Sequence, residues 1–130
     1  DSLDRKTLGE LQSELGNPAP ARALAGQNVV TQGAVGACMF VVTEGRIAIS
    51  LDGSVVEHVE AGGIFGELAL VDRTGRAATA TAETDCAWLL IARDDFLAMV
   101  RSKPAFGLAL LRSMSERLQH VGQLLQAQAT

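Results

Sequence analysis

The chain has 130 residues, of which 48% are hydrophobic, and a formal net charge of −4 at pH 7. A single domain of this length can bury a core without disulfides or bound metal, and the sequence holds no apolar run long enough to span a bilayer. The negative charge and the absence of a basic stripe argue against nucleic acid as a direct partner.

The first predicted element is an amphipathic helix over residues 3 to 15, within a leading segment that we assign to residues 1 to 20. Leucines recur in it at near-helical spacing, with glutamate and lysine between them. These leucines are Leu3, Leu8, Leu11 and Leu15. The run Gly16-Asn17-Pro18 should end the helix, because glycine favours the left-handed turn after a helix and proline cannot continue one.

Residues 21 to 92 predict a series of short strands, because stretches of alternating or β-branched residues are separated by turn residues. The predicted strands cover residues 20–25, 28–31, 39–43, 46–51, 55–60, 78–82 and 86–92. Asp52-Gly53 is a strong hairpin signal between two of them. Short strands at close spacing favour an antiparallel β-barrel or jelly roll over parallel βαβ units.

Residues 65 to 80, FGELALVDRTGRAATA, carry the main functional signal. Gly66 and Glu67 begin a short helical run, and Arg76 follows nine positions after Glu67. The free N–H groups at a helix start and a guanidinium both suit a phosphate. Because Glu67 would repel a phosphate, its expected partner is a pair of hydroxyls, as on a ribose. The pattern therefore predicts a nucleotide monophosphate site, and the alternative is a surface ion pair between Glu67 and Arg76.

The runs Phe65-Gly66-Glu67-Leu68-Ala69-Leu70 and Arg76-Ala77-Ala78-Thr79 resemble the phosphate-binding cassette of cyclic nucleotide-binding domains. The form is close to that in regulatory subunits of cyclic AMP-dependent kinase and in bacterial catabolite-activator relatives. The resemblance extends more weakly from Ala21 to Arg117 and places the cassette at residues 64–78. It implies an antiparallel eight-stranded β-roll, or jelly roll, with one N-terminal helix and two C-terminal helices.

One position departs from the pattern of this family. The residue before the arginine is usually proline, and here it is Gly75. Proline would fix φ, whereas glycine leaves the loop more freedom in the empty state.

The resemblance also implies what each cassette residue does. Glu67 and the Gly66 N–H would hold the ribose 2′-hydroxyl, and Arg76 would pair with the phosphate charge. The other implied contacts are Phe65, the backbone N–H groups of Leu68 and Ala69, and the backbone of Ala77 and Ala78.

Two positions concern the base of the nucleotide. Ile49 shares one face of the predicted strand 46–51 with Ile47 and Leu51, so it is a candidate apolar contact for the base, with core packing as the alternative. Relatives that prefer cyclic GMP often have threonine or serine at the position of Ala77, where a hydroxyl can reach the guanine amino group. Since alanine offers no hydrogen bond, the resemblance implies cyclic AMP as the ligand, with cyclic GMP second.

Residues 93 to 130 predict two helices, one that starts at Arg93 and one that Pro104 opens and that runs to about Gln126. The last helix carries apolar residues at spacings of three and four, which is a heptad seam. The seam consists of Leu111, Met114, Leu118, Val121 and Leu125. It fits either a stripe packed on the barrel of the same chain or a homodimer helix, as in catabolite-activator relatives.

The sequence offers little to an enzyme or a metal site. It has only two histidines, His58 and His120, and no histidine pair or nucleophile set, so we expect neither catalysis nor a metal cofactor. Cys38 and Cys86 lie in apolar surroundings, and the resemblance implies the cytoplasm, where thiols stay reduced. The remaining alternative is the same fold with a degenerate pocket that serves as a dimerisation or docking module. The effector that would respond to the ligand is not identified by the sequence.

Overall fold

The computed structural model describes residues 3–70 and 75–129, with the side chains at positions 117, 118, 120–122, 124, 125 and 127–129 outside this description. Within these residues the chain forms eight strands and three α-helices, in the order helix, strands, helices. The strands are β1 (Ala21–Ala23), β2 (Asn28–Val30), β3 (Cys38–Glu44), β4 (Arg46–Leu51), β5 (Ser54–Glu60), β6 (Ile64–Phe65), β7 (Thr79–Ala82) and β8 (Cys86–Ala92). The helices are α1 (Arg5–Glu14), α2 (Arg93–Ser102) and α3 (Pro104–Ala129).

The strands form two four-stranded sheets, with strand orders β1-β8-β3-β6 and β2-β7-β4-β5. Every strand pair in both sheets is antiparallel. The predicted antiparallel β-roll with one leading and two trailing helices is therefore confirmed. Strand β6 is the element that the periodicity did not indicate, because two residues are too few to show an alternation.

The first helix, Arg5–Glu14, lies within the predicted range of residues 3 to 15 and begins two residues later than predicted. The Asp4 carboxylate accepts a hydrogen bond of 2.7 Å from the Thr7 N–H, and this cap lowers the pKa of Asp4. Leu11 is buried on the inner face of the helix, and Gly16 and Asn17 adopt positive φ just after it. The amphipathic pattern of α1 thus attaches the helix to the roll through one stripe of leucines.

Strand β3 lies in the middle of the molecule and is buried on both faces. Met39 and Val41 pack against the helices, whereas Phe40 and Val42 face the space between the two sheets. Successive side chains of a strand point to opposite faces, so this one continuous apolar run supplies both cores. Both cores reach the cassette, the helix-side core through Ile64 and Leu70 and the inter-sheet core through Phe65.

In the part of α3 whose side chains are described, one residue of the predicted seam packs on the roll and another does not. The buried residues there are Phe106, Gly107, Leu110 and Ser113, and Met114 of the seam packs at the edge of that core. Leu111 is 58% exposed, so the two seam residues whose side chains are described lie in different surroundings. Leu118, Val121 and Leu125 lie outside the described side chains. None of the described helices is both long enough and apolar enough to cross a bilayer.

Candidate functional site

The cassette opens with a strand that is anchored in the core. β6 pairs with β3 through Phe40 and Phe65, and both rings are buried. A short 3₁₀ helix, Glu67–Leu70, follows directly and is referred to below as the cassette helix. Gly66 joins strand and helix with φ 73°, and its carbonyl accepts a hydrogen bond of 3.2 Å from the Ala69 N–H. The predicted helical run at this position is confirmed.

The guanidinium of Arg76 points inward to the start of this helix. Nη1 donates to the Gly66 carbonyl at 3.1 Å and Nη2 donates to the Cys38 carbonyl at 2.8 Å. The carbon Cζ lies 5.1 Å from the centroid of the Phe40 ring, which is a cation–π distance. Burial lowers the pKa of Arg76, but a guanidinium remains protonated in proteins. The structure therefore places a permanent positive charge beside the first residues of the cassette helix.

The backbone around Arg76 is fixed by the loop that precedes β3. The Arg76 N–H donates to the Ala34 carbonyl at 2.7 Å, and the Arg76 carbonyl accepts from the Gly33 N–H at 2.8 Å. Next to this pair, the Gln32 N–H donates to the Thr79 hydroxyl at 2.9 Å. The loop between β2 and β3 is therefore a wall of the site, a role that its sequence did not indicate.

Two glycines leave room for the arginine. A Cβ atom on Gly36 would lie 2.5 Å from Nε and 2.7 Å from Cζ of Arg76. A Cβ atom on Gly66 would lie 2.8 Å from Nη1 of Arg76 and 3.0 Å from the Phe40 ring. Real Cβ atoms do not approach other atoms so closely, so the guanidinium occupies space that any larger residue at either position would take.

The predicted contact residues lie at different depths. Phe65 is buried and Leu70 closes the cassette helix against the core, whereas Leu68 and Ala77 are exposed. Gly66, Glu67, Ala69 and Ala78 are half-buried. Ile49 is buried in the inter-sheet core together with Phe40 and Phe65. The structure thus brings Gly66 and Arg76 into direct contact, and it places Ile49 among the aromatic residues beneath them.

Phe40 contacts Arg76 but was not among the site residues predicted from the sequence. Its ring stacks on Phe65 with centroids 4.7 Å apart, and it meets Trp88 edge-on at 6.3 Å. The only available signal was its alternate position in the predicted strand 39–43. The ring also lies under the guanidinium of Arg76, which is 36 positions later in the chain. This contact depends on how the loops fold.

A cleft of about 210 Å³ lies next to the cassette helix, lined by Ala69 together with Ala37, Ala92, Arg93 and Asp94. The described residues contain no group of three or more metal-ligating side chains. Cys38 and Cys86 are free thiols, and burial raises the pKa of Cys86. The site around Arg76 offers hydrogen-bond donors and a positive charge, which suit an anion.

The chain matches the family model described as cyclic nucleotide-binding domain over residues 21–103. Over 93 residues it is 33% identical to a cyclic nucleotide-gated potassium channel of Rhizobium etli, a match that covers 72% of this chain and 26% of the channel. The chain thus spans about a quarter of the length of this curated relative.

Two solved structures are similar over most of the chain. One belongs to a cyclic-GMP-dependent signalling pathway that regulates bacterial phytopathogenesis; it is 30% identical, has a TM-score of 0.74, and the match covers 91% of this chain and 96% of that one. The other is CBD2 of PKAR bound to Sp-2Cl-cAMPS, which is 25% identical with a TM-score of 0.64 and coverages of 82% and 70%. Because the family model matches more than half of it, the chain belongs to the cyclic nucleotide-binding domain family.

Proposed function

We propose that this member of the family senses cyclic AMP in preference to cyclic GMP and transmits occupancy of its site through α3. The observation that carries the proposal is the position of the Arg76 guanidinium, which lies against the Gly66 carbonyl at the start of the cassette helix. A half-buried cation beside backbone amides is suited to the single charge of a cyclic phosphodiester. The proposed role is regulatory and cytoplasmic, with occupancy of the site acting on an effector.

The proposed contacts divide the ligand into phosphate, sugar and base. Arg76 pairs with the phosphate, whose other oxygens accept from the Leu68 N–H and from the Ala69 N–H, which then leaves the Gly66 carbonyl or is shared with it. Glu67 and the Gly66 N–H hold the ribose 2′-hydroxyl, and the backbone of Ala77 and Ala78 closes the phosphate side. The base rests near Ile49, where the neighbouring core is apolar.

Binding in this scheme does not require the arginine to be freed completely. A guanidinium has more N–H donors than the Gly66 and Cys38 carbonyls accept. The phosphate can therefore approach a side chain that is already held in place. Less conformational entropy is then lost on binding than with a flexible arginine.

The purified domain should be stabilised by cyclic AMP against thermal unfolding. A ligand that binds only the folded state adds about 2.7 kcal/mol at a concentration of a hundred times Kd. The measurement is a thermal unfolding series over a range of cyclic AMP concentrations, with linear 5′-AMP as the control, because its doubly charged phosphate has a different shape. If no concentration raises Tm, the pocket is degenerate and the domain is an interaction module.

The preference for cyclic AMP rests on Ala77. Replacing Ala77 by threonine should raise affinity for cyclic GMP by about two- to tenfold, since a neutral hydrogen bond contributes roughly 0.5–1.5 kcal/mol. Position 77 is exposed, so a larger side chain fits. Competition calorimetry with both nucleotides measures the change, and Ala77→Val, which has the same shape without the hydroxyl, is the control. Equal affinities of the unchanged domain for the two nucleotides would contradict the preference.

The output is proposed to pass through a homodimer formed by α3. Leu108 and Leu111 are 65% and 58% exposed on this helix, although both are large apolar residues. A second copy of the chain could cover them, and a shift of the helix on ligand binding would change that contact. Sedimentation velocity with and without cyclic AMP decides the point, and a monomer under both conditions would remove the dimer.

A further inference from the structure

We infer that Gly36 and Phe40 form a guanidinium seat that fixes Arg76 before any ligand arrives, so both are positioning residues for phosphate binding. The inference rests on the proposed function, because the seat matters for affinity only if Arg76 binds the phosphate. It assigns a role in the site to two residues outside the cassette.

Phe40 supplies the immobile part of the seat. The ring is 7% exposed and lies 5.1 Å from the Arg76 guanidinium carbon. It is held by stacking on Phe65 at 4.7 Å and by an edge contact with Trp88 at 6.3 Å. A ring that is fixed in this way presents a constant negative face to the cation.

Gly36 supplies the space. The nearest atoms to a Cβ built on Gly36 all belong to the guanidinium group of Arg76. Gly36 is not among the residues with positive φ, so glycine is required there for its lack of a side chain and not for its backbone conformation. The carbonyls of Gly66 and Cys38 then hold the edge of the guanidinium by hydrogen bonds.

Two glycine-to-alanine variants test whether Gly36 provides the space that the guanidinium of Arg76 occupies. In Gly36→Ala the three atoms nearest the added methyl group are all at the end of the Arg76 side chain, so the domain should fold while the guanidinium is displaced. Gly9→Ala is the matched control, because a Cβ on Gly9 meets nothing within 4 Å. We expect Gly36→Ala to weaken cyclic AMP binding by about tenfold, since the arginine must then be ordered by the ligand. Equal cyclic AMP affinities of the two variants would overturn the inference.

Substitutions of Phe40 test whether its aromatic ring supports cyclic AMP binding. Phe40→Leu keeps an apolar side chain but removes the aromatic face, and it should weaken cyclic AMP binding several-fold, on the order of a lost cation–π contact. Phe40→Tyr keeps the face and should restore most of the affinity. Val42→Ala is the control for loss of core packing, since Val42 is buried in the same cluster on the same face of β3. If Phe40→Leu and Val42→Ala weaken binding equally at equal loss of Tm, the ring has only a packing role.

A measurement without ligand separates failure of the seat from failure of the proposed function. The Nε–H of Arg76 near an aromatic face should give a ring-current-shifted NMR signal in the empty domain, identified by its loss in Arg76→Gln. We expect Phe40→Leu to return this signal to an ordinary arginine position, and Gly36→Ala to move it. If these changes occur in a domain that binds no cyclic nucleotide, the seat stands and the proposed function fails. If the signal is ordinary in the unchanged domain, the seat is overturned.

Discussion

Replacing Arg76 by alanine should weaken cyclic AMP binding by about one to two orders of magnitude. A hydrogen bond to a charged partner contributes roughly 1.5–3 kcal/mol, and Arg76 brings a positive charge to the start of the cassette helix. Alanine removes the charge and also leaves the Gly66 and Cys38 carbonyls without this donor. We therefore expect a modest fall in Tm together with the large fall in affinity.

Isothermal titration calorimetry with cyclic AMP measures the loss of affinity, and two further variants show what causes it. Arg76→Lys keeps a positive charge but not the planar fork that can bind two oxygens, so its affinity should lie between those of the wild type and the alanine variant. Arg22→Ala removes an arginine from an exposed ion pair with Glu44, 3.1 Å long, on the edge strand β1. Its affinity should be unchanged, because exposed pairs contribute little. An unchanged Kd for Arg76→Ala would remove Arg76 from the site.

The secondary structure was largely predictable because its signals are local. Leucines at helical spacing gave α1, and alternation with Asp52-Gly53 gave the β4–β5 hairpin, in which Asp52 and Gly53 adopt φ of 50° and 86° as a type I′ turn requires. Which face of β4 is buried was harder to predict. A register shift lies between Ile49 and Ser50, and Ala48 is buried as well as Ile47 and Ile49. Burial of both faces follows from packing between and around the sheets, which alternation along one strand does not report.

The site was predictable only as far as it lies within one stretch of sequence. Gly66 and Arg76 are close in the chain, so the sequence could indicate that they meet, whereas the ligand contacts of the cassette stay predictions. The loop with Gly36 and the ring of Phe40 meet Arg76 through pairings that are distant in sequence, of β3 with β6 and of Arg76 with Gly33 and Ala34. Such a contact is a property of the tertiary fold, and no composition or period in residues 33–40 indicates it.

The tertiary fold also explains why Leu111 of the predicted seam is exposed on α3. A seam of apolar residues at spacings of three and four is compatible with several orientations of one helix. The roll selects the stripe of Phe106 and Leu110, which leaves Leu111 exposed. The pattern identified an amphipathic helix correctly, but the neighbouring core decided which side faces inward.

Replacing Gly75 by proline should lower both stability and affinity, although it installs the residue that relatives usually have before the arginine. Gly75 adopts φ of 120°, whereas the proline ring holds φ near −65°. A Cβ on Gly75 would also lie 3.0 Å from the Gly33 carbonyl oxygen. Forcing the residue out of this conformation should cost on the order of 1–3 kcal/mol of unfolding free energy.

The affinity should fall because Gly75 leads directly into the strand-like pairing of Arg76 with Ala34 and Gly33. A displaced backbone at position 75 moves that pairing, and the guanidinium then no longer reaches Gly66 and Cys38. Thermal unfolding and cyclic AMP calorimetry on Gly75→Pro measure the two effects. Gly26→Ala is the control for a left-handed glycine in open space, since Gly26 has φ of 91° and a Cβ there meets nothing within 4 Å. If Gly75→Pro binds cyclic AMP as tightly as the wild type, the loop in solution follows the path that proline allows. The observed backbone at Gly75 would then not be what positions Arg76.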